Sequence, residues 1–248
     1  MMNLSIDPAL IGVAQAVTGN CLLASLPAHD LEHLCALLER VKVAVGDVLC
    51  EPGQEIRYIY FPADSLISLL AVAEGRMTLE IGSVGREGMI GAQAALGHDV
   101  AQVRAVVQRS GSVCRIGRAA FCAEFCKTES LQRLLYRYTD SALAQAIQIA
   151  VCSRFHMLEA RLARSLLMTR DRLQSEKFYL THEFLAQMLG VRRVGVTKAA
   201  SALQQKKMIT YSRGHMEIIN AARLQQAACS CYAMVKEDGV LGMADTFS

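Results

Sequence analysis

The apolar positions along the chain keep three successive rhythms, and these divide it before any motif is sought. In "LPAHDLEHLCALLERV" Leu31, Leu34, Leu37, Leu38 and Val41 recur at helical spacing behind Asp30, predicting a helix capped by that aspartate. From about Val43 to Ile116 the rhythm shortens. Runs rich in β-branched and aromatic residues, parted by Gly, Pro, Asp and Glu-Gly turns, predict short antiparallel strands in a sandwich, roll or barrel. Helical spacing returns near Ala119 and lasts to about Leu173. Within it Leu131, Leu135, Tyr138, Ala142, Gln145, Ile149, Cys152 and His156 alternate steps of four and three, the row expected where two long helices meet. Its polar members make the repeat imperfect, and packing of that face on its own domain is the alternative. A second helix is predicted in "MLEARLARSLLMTRDRL" and a short strand or extended link in "SEKFYL". "KKMITYSRGHMEIIN" reads as a β-hairpin turning at Arg213-Gly214. From Ala221 to about Lys236 a last helix is predicted, then a loose end.

The stretch "THEFLAQMLGVRRVGVTKAASAL" holds two helical patterns hinged on a glycine. Thr181 caps the first, whose apolar face is Leu185, Met188 and Leu189, with Ala186 beside it. Gly190 ends it where left-handed backbone is cheapest. In the second pattern Val196, Ala200 and Leu203 share one face, while Arg193, Thr197 and Lys198 lie opposite. A small residue, a glycine turn and a later apolar residue at these spacings form a helix-turn-helix, whose second helix enters the DNA major groove. Arg193, Val194 and Lys198 are the candidates for base readout, and Arg192 and Thr197 for phosphate positioning with Thr181. The following hairpin would be a wing presenting Arg213 and His215 to the backbone.

Charge strengthens this picture. Between Val151 and His215 twelve Lys or Arg face four acids, a local excess of +8 that leaves −5 for the rest of a chain of net +3. Residues 181 to 215 carry six basic groups against Glu183 alone. Such concentration suits a polyanion. At 248 residues and 52% hydrophobic content the chain supports one large domain or two modest ones without metals or disulfides. No apolar run approaches a membrane span, and no positive residues precede the mildly apolar N-terminus, so a cytoplasmic protein is expected. Nine scattered cysteines read as reduced thiols, each a small buried apolar residue. No Ser/His/Asp arrangement, no phosphate-cradling or dinucleotide glycine loop and no zinc-spaced Cys or His pair is found, so neither enzyme chemistry nor a metal site is expected.

The order of parts resembles the CRP/FNR superfamily of bacterial transcription regulators from about residue 20 to 235. The resemblance is carried by "FPADSLISLLAVAEGRMTLEIGSVGREGMIGAQAALG", "LQRLLYRYTDSALAQAIQIAVCSRFHMLEARLARSLL" and "LTHEFLAQMLGVRRVGVTKAASALQQKKMITYSRGHMEIIN". It implies an α+β fold: a β-roll sensor over residues 1–125, a dimerisation helix over 126–157 and a winged helix-turn-helix over 158–248. It further implies a homodimer joined along Leu131, Leu135, Tyr138, Ala142, Gln145 and Ile149, double-stranded DNA with a pseudo-palindromic operator, and RNA polymerase as a partner. The alternative is a ligand-binding or regulatory subunit with no DNA role.

Several positions depart from the family pattern. The cyclic-nucleotide cassette maps onto Gly91, Ala92, Ala101, Gln102 and the displaced Arg104, so its carboxylate is missing and its cation is out of place. A cyclic AMP site is therefore not expected. Cys21, Cys35 and Cys50 lie too far apart for an FNR-type iron–sulfur cluster, and none of His29, His33 and His98 is singled out as a haem ligand. Where relatives place glutamate in the recognition helix, this chain has Val194, whose methyls suit thymine rather than cytosine.

Overall fold

The computed structural model describes residues 19–73 and 77–237. The N-terminal stretch read for export, the Glu-Gly turn at 74–75 and the loose end after 237 lie outside them. The described residues form two compact units, one of 19–67 with 84–140 and the other of 68–83 with 141–237.

The first unit opens with α1 (Cys21–Ala24) and α2 (Ala28–Cys35). Asn20, fully buried, fastens this start: its side chain accepts from the Leu23 amide and donates to the carbonyls of Pro62 (2.8 Å) and Gly88 (2.9 Å). The predicted helix is shorter than expected. It starts after Pro27, places Asp30 in its first turn rather than at the cap, and ends before Val41, which belongs to a strand. Asp30 accepts instead from the Ser130 hydroxyl at 2.6 Å.

The strand-like region forms the antiparallel roll. Strand β7 (Gly111–Gly117) lies between β1 (Glu39–Val43) and β3 (Tyr58–Pro62), with Val41 opposite Val113 and Phe61 opposite Cys114. Strand β2 (Val48–Cys50) pairs with β6 (Arg104–Arg109). The core behind them is built from Leu23, Ile59, Phe61, Ile116 and Phe121, the last from α3 (Arg118–Lys127). Strands β4 (Leu66–Val72) and β5 (Thr78–Val84), most of whose residues belong to the second unit, are neighbours.

Helix α4 (Glu129–Phe155) carries the row predicted as a dimer seam, and here the expectation is corrected. Leu131, Leu135 and Tyr138 lie in the core of their own unit, and the Tyr138 hydroxyl donates to the Met89 carbonyl at 2.6 Å. Gln145 and Ile149 are likewise buried within the chain, and Ala142 is half-buried. The helix has a second apolar row, and that one is exposed: Tyr136 (55%), Leu143 (59%), Ile147 (56%), Val151 (42%) and Phe155 (75%). Helical periodicity alone does not say which of two apolar rows the roll covers.

Helix α5 (Leu158–Leu173) is the buried axis of the second unit, with Leu162, Leu166 and Leu167 in its core. Strand β8 (Lys177–Tyr179) resolves the "SEKFYL" link as a strand. After it come α6 (His182–Leu189), α7 (Arg193–Gln205), the hairpin β9 (Ile209–Ser212) and β10 (His215–Ile218), then α8 (Ala221–Ala227) and α9 (Cys231–Glu237). The final helix is thus two, because Ala228 turns to extended backbone between them. Among the described residues no helix is long and apolar enough to cross a membrane.

A partly buried carboxyl sits in this unit. Glu80 on β5 is half-buried with its Oε2 cut off from water, and this desolvation pushes its pKa from 4.5 up to about 7, opposed by a hydrogen bond with Ser68 and the charges of Arg172 and Arg164. A carboxyl with a raised folded-state pKa contributes stability that is complete below its unfolded value and lost as pH climbs through the folded one. Stability should therefore fall by on the order of 3 kcal/mol between about pH 4.5 and 7 through this group. Melting temperatures across that range should show the fall in the parent protein and a flatter profile in Glu80→Gln.

Candidate nucleic-acid interface

The helix pair is positioned from both ends. Thr181 Oγ1 accepts from the Phe184 amide at 3.1 Å and so starts α6. Gly190, at φ 63° and ψ 40°, ends it in the left-handed region, with the Val191 amide donating back to the Ala186 carbonyl at 3.0 Å. An added Cβ on Gly190 would lie 3.1 Å from Leu79 on β5, and the Thr78 hydroxyl donates to the Gln187 carbonyl at 3.1 Å. The glycine turn therefore answers both a backbone and a packing demand.

Helix α7 buries Val196, Ala199, Ala200 and Leu203 in the core that includes α5 and α6. At about 100° per residue, that leaves Arg193, Thr197, Ser201, Val194 and Lys198 in one arc of roughly 140°. All five are exposed. The predicted readout residues Arg193, Val194 and Lys198 are thus brought together on one face, with Arg192 at the N-cap beside them.

The wing forms as the turn chemistry demands. Ser212 pairs with His215, and Arg213 (φ 49°) and Gly214 (φ 89°) make the tight connection between them, the positive-φ pair of a two-residue hairpin. Arg213 is exposed at its tip. His215 is exposed too, with its ring edge-on to Tyr179 at 5.4 Å. Strand β8 adds to β10, so the wing has three strands rather than two.

The electrostatics are sharper than the charge count suggests. Of the twelve basic residues, Arg161, Arg164 and Arg172 are buried, Arg170 is held by Asp171 at 2.6 Å, and Lys177 and Lys206 pair with Glu217 and Glu159. Arg192, Arg193, Lys198, Lys207 and Arg213, together with Arg154 at the end of α4, are exposed and have no acidic partner among the described residues. The cations left unpaired are concentrated on the recognition helix, the bend after it and the wing tip.

One residue escaped sequence reasoning. His182 stacks on Tyr211 with ring centroids 4.0 Å apart, and its Nδ1 lies 3.1 Å from Thr197 Oγ1. Burial, and then the Arg193 charge, hold its pKa below the usual histidine value. This neutral ring therefore ties the start of α6 to the first turns of α7 and to strand β9. The Thr197 hydroxyl also donates to the Arg193 carbonyl at 3.1 Å, so it serves the helix before any phosphate.

The roll's predicted effector residues separate. A cavity of about 500 Å³ is lined by Cys50, Ile56, Arg57, Tyr58, Tyr60 and Gly91, among others. Of Gly91, Ala92, Gln102 and Arg104, the cassette positions expected to form an effector pocket, Gly91 lines this cavity and the other three do not. Gln102 is exposed because its backbone lies outside the strand that begins at Arg104. Arg104 is turned to Glu51 in a two-point pair at 2.7 and 2.8 Å. The absence of metal-ligand clustering expected from spacing is also corrected: Cys152, His156, Cys229 and Cys231 converge in the second unit.

Comparison with known proteins bears on this geometry. The family profile of the Crp-like helix-turn-helix domain matches residues 160–227. No curated protein matches the chain significantly. Among solved structures, a CRP/FNR-family protein from Eubacterium rectale aligns with TM-score 0.69 at 14% identity, covering 85% of this chain and 98% of that one. FixK2 from Bradyrhizobium japonicum aligns at 0.68 and 14%, covering 78% and 98%. The CRP/FNR regulator TTHA1359 from Thermus thermophilus aligns at 0.64 and 21%, covering 77% and 98%. At such identities the likeness is one of fold, and it spans both the roll and the winged helix.

The wing turn offers a direct test of the geometry. A Cβ on Gly214 would fall 2.5 Å from the Tyr179 ring on a backbone at φ 89°. Gly214→Ala should destabilise the unit by about 1–3 kcal/mol, measured by denaturant unfolding.

Proposed function

We propose that this chain, whose residues 160–227 form a Crp-like helix-turn-helix and whose fold is that of the CRP/FNR regulators, is a sequence-specific DNA-binding transcription regulator. The observation that carries the reading is the arc of exposed, unpaired cations on α7, continued at the wing tip by Arg213. Arg193 and Lys198 read guanine or nearby phosphate, Val194 meets a thymine methyl, and Arg192, Thr197, Arg213 and His215 position the backbone, with Thr181 holding the cap beside it. A subunit without a DNA role leaves this arc without purpose.

The protein acts as a cytoplasmic homodimer on a pseudo-palindromic operator, with RNA polymerase as its transcriptional partner. The dimer contact is the exposed row Tyr136, Leu143, Ile147, Val151 and Phe155 of α4, a stripe that otherwise meets water. The functional division follows the chain: roll to residue 125 as sensor, helix 126–157 as dimer element, 158–248 as DNA reader.

Gel-shift titrations test the readout. Arg193→Ala should weaken operator binding by about 1–3 kcal/mol and relax selectivity at one position. Arg213→Ala should weaken all sequences alike and reduce the salt slope by about 1. Equal losses on operator and random DNA in Arg193→Ala would overturn the base-reading role. For the dimer, Leu143→Glu with Ile147→Glu should weaken association at least about tenfold in sedimentation, since each buried apolar side chain is worth about 1.5–3 kcal/mol.

A further inference from the structure

Four side chains that play no part in DNA contact meet inside the second unit. Cys152 lies in the last turn of α4 and His156 directly follows that helix, its amide still donating to the Cys152 carbonyl at 3.2 Å, so the two stand one turn apart on the same side. Cys229 lies in the break between α8 and α9, and Cys231 opens α9. The three sulfurs and one histidine nitrogen all lie within 4.8 Å of one another. Cys152 Sγ is 3.5 Å from Cys229 Sγ, and Cys231 Sγ is 3.3 Å from His156 Nδ1. The three cysteines form no disulfide, and Cys152 and Cys231 are wholly buried.

We infer that Cys152, His156, Cys229 and Cys231 form a closed, four-ligand Zn²⁺ site that fastens the C-terminal segment to the long helix. Donor type favours this ion: three thiolates and one imidazole are a structural zinc set, and no position remains open for water. Donor spacing agrees. A tetrahedron with bonds of about 2.0–2.3 Å puts its corners roughly 3.3–3.8 Å apart, which the two close pairs already match. An iron–sulfur cube needs its thiolates spread around the cluster's own sulfides, and this group is too compact to surround one.

The surroundings suit the charge. Three thiolates on Zn²⁺ leave one net negative charge, and Arg164, buried with its Nε free of any hydrogen bond, acts electrostatically on both Cys152 and Cys229. Gln148 Nε2 donates to Cys231 Sγ at 2.8 Å, the outer hydrogen bond a ligating thiolate uses. Zinc binding displaces the protons that remain on the thiols into solvent and changes no oxidation state.

The assignment is independent of DNA reading and is tested on the full chain, reduced and stripped of metal, then titrated with Zn²⁺ against a chromophoric chelator. About one ion per chain should bind, and Co²⁺ in its place should show thiolate charge transfer with the intense ligand-field bands of a tetrahedral site. Cys229→Ser with Cys231→Ser, and separately His156→Ala, should lower bound zinc at least about tenfold, while Cys126→Ser should retain it. Should a variant fold poorly, release of zinc from the parent protein by a mercurial thiol reagent tests the same ligands without any substitution. Full zinc binding by the variants, a Co²⁺ spectrum without thiolate bands, an iron chromophore, or no binding by the reduced parent would each overturn the site.

Discussion

Burial of one face of α7 against α5 and α6 sets what the second unit can show to its surroundings. Val196, Ala199, Ala200 and Leu203 cannot leave the core without exposing apolar surface worth several kcal/mol, and this fixes the rotation of the helix about its own axis. With the rotation fixed, Arg193, Val194 and Lys198 have one direction left to point. Gly190 sets where that helix begins, because only a left-handed residue lets α6 end and the chain reverse so tightly. The His182–Tyr211 stack then carries the same constraint into strand β9, so reading helix and wing are held as one surface. The exposed cationic arc of this protein is the solvent side of a packing solution.

Buried polar groups elsewhere follow the same rule, that a polar side chain kept from water must find a defined partner. Asn20 meets it with backbone carbonyls, and the Tyr138 hydroxyl with Met89. Glu80 meets it only in part and titrates upward in consequence. Arg161 lies deep in the unit and spends a donor on the Leu189 carbonyl at 2.6 Å, at the end of α6. A residue counted as part of a polyanion-binding surface is therefore in fact a brace for the turn that precedes the recognition helix.

Much of the chain could be read directly. The roll, the long helix, the helix pair and the Arg213-Gly214 turn each announce themselves through local periodicity or through a backbone geometry that few residues accept. What stayed hidden was partnership across distance. The charge count could not separate Arg193 from Arg161, since identical side chains differ only in what packs around them. The α4 row of Leu131, Tyr138, Gln145 and Cys152 was legible as a stripe, yet its direction depended on which side the core would claim. Pro27 likewise displaced the expected Asp30 cap, and Ala228 broke a helix that composition would have continued.

The polar members of that row hold the clue to the rest. A stripe facing a second helix has no use for Gln145, Cys152 and His156, and their presence weakened it as a seam. Facing inward, each finds a reason. Gln145 lies against Gly82, where a Cβ would come within 2.9 Å of its amide oxygen, and Cys152 and His156 face Cys229 and Cys231. Neither the Cys-x₃-His nor the Cys-x-Cys spacing is a familiar zinc signature alone, and more than seventy residues part them. Yet a cysteine and a histidine one helical turn apart offer two ligands to one point, and a helix broken beside two cysteines offers two more. The imperfection of the heptad row and the break at Ala228 are thus two sides of one arrangement, in which the C-terminal segment gives up helical continuity to bring its sulfurs to the long helix.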